Sequence, residues 1–326
     1  MVITMKKSFS YYIILCFQLV AASNQAADSS FVFYVYGDSR SGHSVHRQIL
    51  ETMRQKDFAF IASMGDLVDN ASQDQWDVFN EIIVPMGDLT GNSHTYLSAV
   101  GDHDVHESGY IHENWHKNVF WLPGNGEFYK YDYKNVRFIF LDSNYEELNE
   151  QCDSLKIWLQ TNDPKWTFAA WHHPSYPFGS KTRDEKTMEA WWPLLYEYGV
   201  DMVFNGHAHY YVRSQPIRPV SGRPYGVRDN EKGVIQIISG GGGASLYQIE
   251  SDHHNNSYFD QLFVYGEDQE HNFCEIRISG DTLFFQAKFP DGTVFDELQL
   301  YKPAKPDSTA PDPPQNVRVD QSEQNY

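Results

Sequence analysis

Cysteine is scarce in this chain of 326 residues: only Cys16, Cys152 and Cys274 occur, and none stands at metal-ligand spacing from another. Any metal site must therefore be built from carboxylates and imidazoles. Positive charge is also short, with 25 Lys and Arg against 44 Asp and Glu and a formal net charge of −19. That balance argues against a nucleic-acid partner, because phosphate backbones are gripped by clustered basic side chains. A long apolar run is the third absence. Tyr11 to Val20 is interrupted by Gln18 and falls well short of the ~20 residues needed to span a bilayer. With Lys6 and Lys7 before it and Ala21-Ala22-Ser23 after it, residues 1–23 read as a secretory signal. This predicts a secreted or periplasmic protein that begins near Asn24 and has no stable membrane insertion after cleavage. In an oxidising compartment Cys152 and Cys274 are either a disulfide or two lone thiols packed as small apolar groups.

What the chain has in quantity is aspartate and histidine, placed in a repeating way. Gly65-Asp66-Leu67-Val68-Asp69-Asn70 closes the apolar run Phe58 to Met64. If that run is a buried strand, Asp66 emerges at its C-terminal end, where open α/β sheets place their ligands. The pattern recurs four times. Phe31 to Tyr36 leads into Gly37-Asp38-Ser39-Arg40, and Tyr96 to Val100 into Gly101-Asp102-His103-Asp104. Trp166 to Trp171 leads into His172-His173-Pro174, and Val200 to Asn205 into Gly206-His207-Ala208-His209. Five strand-like segments thus bring carboxylates or imidazoles to one edge, a donor set suited to Mn, Fe or Zn. The pattern predicts a metal-dependent hydrolase.

Between these segments, Val45, Ile49 and Met53 recur at helical spacing behind Ser44, which is placed to cap a helix over Ser44 to Lys56. Trp76, Phe79, Ile82 and Ile83 make a second stripe, Leu155, Trp158 and Leu159 a third, and Leu194 to Tyr198 after Pro193 a fourth. Tyr129 to Tyr133 and Val136 to Leu141 flank a Lys134-Asn135 turn and predict a hairpin. Val234 to Ser239, Phe273 to Ser279, Thr282 to Phe289 and Phe295 to Tyr301 predict further strands. Helices alternate with strands early and strands dominate late. The expected fold is α/β, a four-layer α-β-β-α sandwich of two mixed sheets, with one catalytic domain over residues 28–302. Pro303, Pro306, Pro311, Pro313 and Pro314 punctuate residues 303–326, which read as a linker or disordered tail. Within it, Ala310 to Val319 resembles the opening of a fibronectin type III module.

Taken in order, Gly37-Asp38-x-Arg40, Gly65-Asp66-x-x-Asp69, Gly101-Asp102-His103-Asp104, His172-x-Pro174 and Gly206-His207-x-His209 resemble the calcineurin-like metallophosphoesterase superfamily. Within it, the chain looks like secreted bacterial members akin to purple acid phosphatases. The likeness extends to Tyr211-x-Arg213-Ser214 and to the glycine run Ser239 to Ala244. The resemblance implies the metallo-dependent phosphatase fold and a binuclear centre of divalent or trivalent ions, Mn, Fe or Zn. It places Asp38, Asp66 and His209 on one ion and Asp66, Asp102, His172 and His207 on the other, with Asp66 bridging. It further implies hydrolysis of small phosphomonoesters by attack of a metal-activated hydroxide on phosphorus. His103 would protonate the leaving oxygen while Asp104 orients its ring; otherwise His103 is a hydrogen-bonding support for a ligand.

His173, beside a ligand, faces either the pocket or the core, and is assigned to substrate binding. Most relatives carry histidine where Arg40 stands and asparagine where Asp102 stands; purple acid phosphatases carry tyrosine where Asp69 stands. Arginine only donates, so Arg40 either clamps the phosphate of a substrate or pairs with a ligand carboxylate. Two competing functions use the same residues. One is a phosphodiesterase or nucleotide hydrolase, and the other a non-catalytic secreted binding or adhesion protein on a degenerate phosphatase scaffold. The intact set Asp38, Asp66, His172, His207 and His209 favours an enzyme.

Overall fold

The computed structural model describes residues 30–86, 96–105, 122–145, 148–161, 164–178, 184–222, 225–249 and 261–303. The signal read over residues 1–23, and residues 304–326 of the proline-rich tail, lie outside them. In chain order the elements are β1 (Phe31–Tyr36), α1 (His43–Met53), β2 (Ile61–Ser63), α2 (Gln73–Ile83), β3 (Tyr96–Ser98) and α3 (Asp102–Val105). Then come β4 (Tyr129–Tyr133), β5 (Val136–Phe140), α4 (Asn149–Gln160), β6 (Trp166–Trp171), α5 (Glu185–Ala190), α6 (Trp192–Glu197) and β7 (Met202–Asn205). The rest is strand: β8 (Tyr211–Ser214), β9 (Ile217–Arg218), β10 (Val227–Arg228), β11 (Ile235–Ser239), β12 (Phe263–Glu267), β13 (Phe273–Ser279), β14 (Thr282–Lys288) and β15 (Val294–Tyr301).

Two mixed sheets carry the fold. The first has the order β15-β14-β13-β1-β2-β3 and the second β12-β8-β11-β7-β6-β5-β4. Strands β1, β2 and β3 are mutually parallel, as are β5, β6, β7 and β11. Their C-terminal ends therefore share an edge within each sheet. Alternation along the strands builds the layers. In the second sheet Phe138, Phe140, Phe168, Ala170, Phe204 and Ile237 join the core between the sheets. Their neighbours Ile139, Ala169, Trp171, Val203 and Ile238 face outward onto Leu155 of α4, Met188 of α5 and Leu195 of α6. In the first sheet the Phe33 ring meets Phe138 and Phe168 across the interior. The next residue, Tyr34, points the other way and donates to Met53 O of α1. The result is the expected α-β-β-α sandwich of two mixed sheets.

Two local expectations are corrected. Ser44 does not cap α1: the helix begins at His43, Gly42 holds the cap position, and no side chain bonds there. Cys152 and Cys274 are both free thiols, so the disulfide alternative falls. The physical reason is the layering, since Cys274 sits in the inter-sheet core and Cys152 packs against the outer cluster. The seven-stranded sheet stands between them.

Candidate metal centre

Each expected donor stands just past a strand. Asp38 follows β1, Asp66 follows β2, Asp102 opens α3 after β3, His172 follows β6, and His207 and His209 follow β7. Among the described residues, Asp38, Asp66, Lys134 and His207 are the non-glycine positions with positive φ, and three of these four are expected donors, at 60°, 53° and 65°. Left-handed backbone costs such residues of order 1 kcal/mol each and persists only where the surroundings enforce it. Two glycines make the close approach possible. A Cβ on Gly101 would lie 2.1 Å from the Asp66 nitrogen, and one on Gly206 would lie 2.5 Å from Asp38 Oδ2. The glycine run after β11 closes the edge between the sheets: Gly242 N–H donates to Gly37 O at 2.9 Å and Ala244 N–H to Asp38 O at 2.8 Å.

The donors fall into two groups, within each of which the ligand atoms lie within 4.8 Å of one another. The first is Asp38, Asp66 and His209, all buried; the second is Asp102, His172, His173 and His207. In the first group His209 Nε2 lies 3.4 Å from Asp38 Oδ1. Both Asp38 oxygens accept the His207 N–H, at 2.9 and 3.0 Å. Asp66 Oδ1 accepts the His103 N–H at 3.1 Å and lies 3.4 Å from His172 Nε2, so this carboxylate reaches both groups. In the second, Asp102 Oδ1 stands 2.9 Å from His172 Nε2 and 3.4 Å from His207 Nδ1.

Ring orientation is set from behind. His172 Nδ1 donates to Met64 O at 2.8 Å, and His209 Nδ1 donates to Ser245 O at 2.7 Å. A carbonyl only accepts, so Nδ1 carries a proton and Nε2 is the nitrogen turned inward, the one that would offer its lone pair to a metal. The decisive observation is that His172 Nε2 and Asp102 Oδ1 are buried, lie close together, and have no hydrogen-bond partner. The two atoms stand 2.9 Å apart within the second donor group. An orphaned buried polar atom costs roughly 1–3 kcal/mol, and a cation held by the two would satisfy both. The nitrogen and carboxylate donors fit Mn, Fe or Zn.

The electrostatics agree. Burial pushes Asp66 up to about 6; the His172 charge opposes the rise, and Asp38 and Asp102 add to it. Burial would also raise Asp102, but the close His172 and His207 rings hold it far below the usual carboxylate range. Burial would lower His172, yet Asp66, Asp102 and Asp38 together raise it well above an ordinary imidazole. Such opposed pulls, packed in one cleft, mark a site built for charge.

The remaining expected residues are placed differently. Asp104 does not orient the His103 ring. It is fully buried, and its Oδ2 accepts the N–H groups of Gly101 and Asp66, both at 2.9 Å, while Oδ1 accepts those of Leu67 and Val68 at 2.7 and 3.3 Å. It thus ties the Asp102 turn to the Asp66 loop. The His103 ring is held instead by the Asp69 carbonyl, 2.7 Å from Nδ1. That fixes the proton on Nδ1, so the Arg40 Nη1 contact at 3.1 Å is packing. Nε2 points toward the centre, 4.0 Å from Asp102 Oδ2.

Arg40 donates to Asp69 Oδ1 at 2.6 Å, and its Nε lies 3.5 Å from Asp66 Oδ2. His173, assigned to substrate, lies inside the second donor group. Ser143 Oγ, 2.8 Å from His173 Nδ1, and the Ser245 carbonyl carry no sequence signal that could have found them; the His172-His173 doublet was the one local hint of an added donor.

The family profile named Calcineurin-like phosphoesterase matches residues 31–211. Purple acid phosphatase 15 of Arabidopsis thaliana is 34% identical over 123 residues, 36% of this chain and 22% of that protein. Probable inactive purple acid phosphatase 1 of the same plant is 25% identical over 300 residues, 82% of this chain and 47% of that protein. The chain thus spans about half, or less, of the curated relatives it matches. The purple acid phosphatase PPD1 from yellow lupin (Lupinus luteus) seeds superposes with a TM-score of 0.66 at 21% identity, over 84% of this chain and 54% of that one. GAP50, the anchor in the inner membrane complex of Plasmodium, gives 0.58 at 16% identity, over 85% and 90%. At these identities the structures speak for the fold alone. The family match takes in more than half of the chain and all of Asp38, Asp66, Asp102, His172, His207 and His209, and the chain belongs to the calcineurin-like phosphoesterase family.

Proposed function

We propose that the protein is an exported, metal-dependent hydrolase of small phosphomonoesters. The observation that carries the reading is the pair of donor groups joined through Asp66, with the orphaned His172 Nε2 and Asp102 Oδ1 side by side in the second. Asp38, Asp66 and His209 would hold one ion, and Asp102, His172 and His207 the other, with Asp66 shared. When bound, the ions would neutralise phosphoryl oxygens and make a water acidic enough to attack phosphorus near neutral pH.

The chain's own groups do the rest. In its imidazolium form His103, keeping Nδ1–H on the Asp69 carbonyl, would give the second proton, on Nε2, to the leaving oxygen and be left as the neutral ring, because Nε2 is the nitrogen facing the donors. Arg40 brings a permanent positive charge to the same rim, where a planar guanidinium suits a phosphoryl group. Asp104 keeps the two donor loops in register and takes no part in proton transfer. Among the described residues no helix is long and apolar enough to cross a membrane. Export rests on residues 1–23, and N-terminal sequencing of the protein recovered outside the cell should begin near Asn24.

The test of activity strips the protein with a chelator, reloads it with Mn, Fe or Zn in turn, and compares a chromogenic phosphomonoester with the matching diester. The expected result is metal-restored cleavage with the monoester preferred. Faster diester cleavage would make the protein a phosphodiesterase. Stoichiometric metal without cleavage of either would make it a binding scaffold.

A further inference from the structure

His173 stands beside a donor in sequence, and its position in space is more telling. Zinc–nitrogen and zinc–carboxylate bonds are about 2.0–2.2 Å, so four ligands at the corners of a tetrahedron stand roughly 3.3–3.6 Å apart. Measured from Asp102 Oδ1, His172 Nε2 is at 2.9 Å, His207 Nδ1 at 3.4 Å and His173 Nε2 at 3.7 Å. The three separations bracket the tetrahedral edge, and the His173 ring contributes one of them.

The rings also converge edge-on. His172 and His173 cross at 83°, and His173 and His207 at 52° with centroids 4.4 Å apart. Ser143 Oγ accepts the His173 backbone N–H at 3.1 Å and sits 2.8 Å from its Nδ1. Ser143 thus holds the ring from behind at Nδ1, and in the tautomer in which the hydroxyl accepts, Nε2, 3.7 Å from Asp102 Oδ1, keeps its lone pair for a metal. The orphaned atoms His172 Nε2 and Asp102 Oδ1 lie in the same group.

We infer that His173 is a further protein ligand of the metal held by Asp102, His172, His207 and the shared Asp66, and not a substrate contact. The inference rests on the metal-dependent reading above. Its consequence is a division of labour by chemistry. Three imidazoles beside Asp102 and the shared Asp66 favour zinc in the second group, whereas two carboxylates and one imidazole suit a harder ion in the first. With the shared Asp66 the second ion would have five protein ligands, which leave it little open coordination, so the incoming phosphoryl group meets mainly the first group and Arg40.

The experiment titrates Zn²⁺ calorimetrically into the chelator-stripped full chain, and separately loads Co²⁺ and reads its visible absorption. His173→Ala should weaken the tighter Zn²⁺ class by about 10–100-fold and change the visible Co²⁺ spectrum, and added imidazole should restore both. Ser143→Ala keeps the imidazole and loses its support, so it should weaken Zn²⁺ by less; it also carries the test if His173→Ala does not fold. Unchanged Zn²⁺ affinity and Co²⁺ spectrum with a raised KM would overturn the inference and return His173 to the substrate. A wild-type chain that binds Mn or Fe but no Zn²⁺ would also overturn the inference, and one that binds none of the three would instead overturn the metal-dependent reading itself.

Discussion

The two halves of the six-stranded sheet are built on opposite terms. β1, β2 and β3 run parallel, and β2 and β3 have three residues each; β13, β14 and β15 are antiparallel hairpins of seven, seven and eight residues. In the parallel half, left-handed backbone falls on Asp38 and Asp66 as well as on Gly65. In the antiparallel half, among the described residues, it falls on Gly280 and Gly292 at the hairpin turns, where it costs little. Charge follows the same division. Asp38, Asp66 and Asp102 converge on one another, whereas Glu275 is closed by Lys56 and Lys288, and Asp296 is closed by Arg213 in a two-bond fork. One half holds strained, like-charged donors in place; the other supplies the stability that lets it. Substitutions should therefore separate metal and activity from folding according to the half they strike.

The largest effect is expected at Asp66. Asp66→Asn leaves one good oxygen where both groups need one, and losing an ion worth several kcal/mol of transition-state stabilisation should lower turnover by about 1,000-fold or more. Metal content should fall with it, while the unfolding midpoint of the metal-free chain holds or rises. Wild-type metal content in that variant would break the comparison. Phe285→Ala strikes the antiparallel half, where the ring is buried in the inter-sheet core, and should cost about 3–5 kcal/mol in denaturant unfolding. Metal content per folded molecule should not change.

Asp104→Asn is expected to move both readouts. Its carboxylate gathers four backbone N–H groups, and an amide would turn its own N–H₂ against some of them. Stability should fall by about 1–3 kcal/mol and metal affinity by about 10-fold or more, seen by melting and by titration. Arg40→Ala comes next, with KM rising about 10-fold as a charge-assisted contact is lost and metal content unchanged. Arg40→Lys should recover part of this, since it keeps the charge and loses the fork. If metal affinity falls with the rate, the Asp69 and Asp66 contacts are the guanidinium's main role.

The convergence of Asp38, Asp66, Asp102, His172, His207 and His209 is legible in the chain because apolar runs announce their own ends and parallel strands bring those ends together. The hairpin about Lys134-Asn135 and the three late strands are legible for the same reason of period. Past a strand end that logic stops. Asp104 is one residue beyond His103 and turns to the backbone, and His173 turns into the donor group, because no periodicity directs side chains in an irregular turn. The atoms that fix the rings lie far along the chain, 30 residues from His173 and 36 from His209, and leave no local mark. The cysteine pair misleads differently: an even count says nothing about which face of a sheet each thiol occupies.

The smallest effect belongs to the antiparallel half and is read by pH. Glu275 accepts from Lys56 at 2.9 Å and from Lys288 at 2.6 Å. Burial works to raise its carboxyl, but the bonds and charges of Lys288 and Lys56 outweigh it and hold the group below its usual value of 4.5. A carboxyl whose folded pKa lies below its unfolded one stabilises the fold above the unfolded value, and loses that contribution as pH falls through the folded one. Lys288 pulls the other way, because burial lowers its ammonium by more than Glu275 raises it. Lys56 is half exposed and screened, so the net gain is small, about 1 kcal/mol. Glu275→Gln should therefore lower the melting temperature slightly at pH 7, and the gap from wild type should close as the pH falls below 4. Asp66 in the metal-free chain is the counter-case. Its folded pKa is raised by burial, so its charge destabilises the fold above that value and costs nothing below the unfolded one. Asp66→Asn should then raise the metal-free melting temperature at pH 7, with that gap also closing in acid. Gaps of the same sign in both variants, or gaps that do not move with pH, would show that the two halves do not differ in how they hold charge.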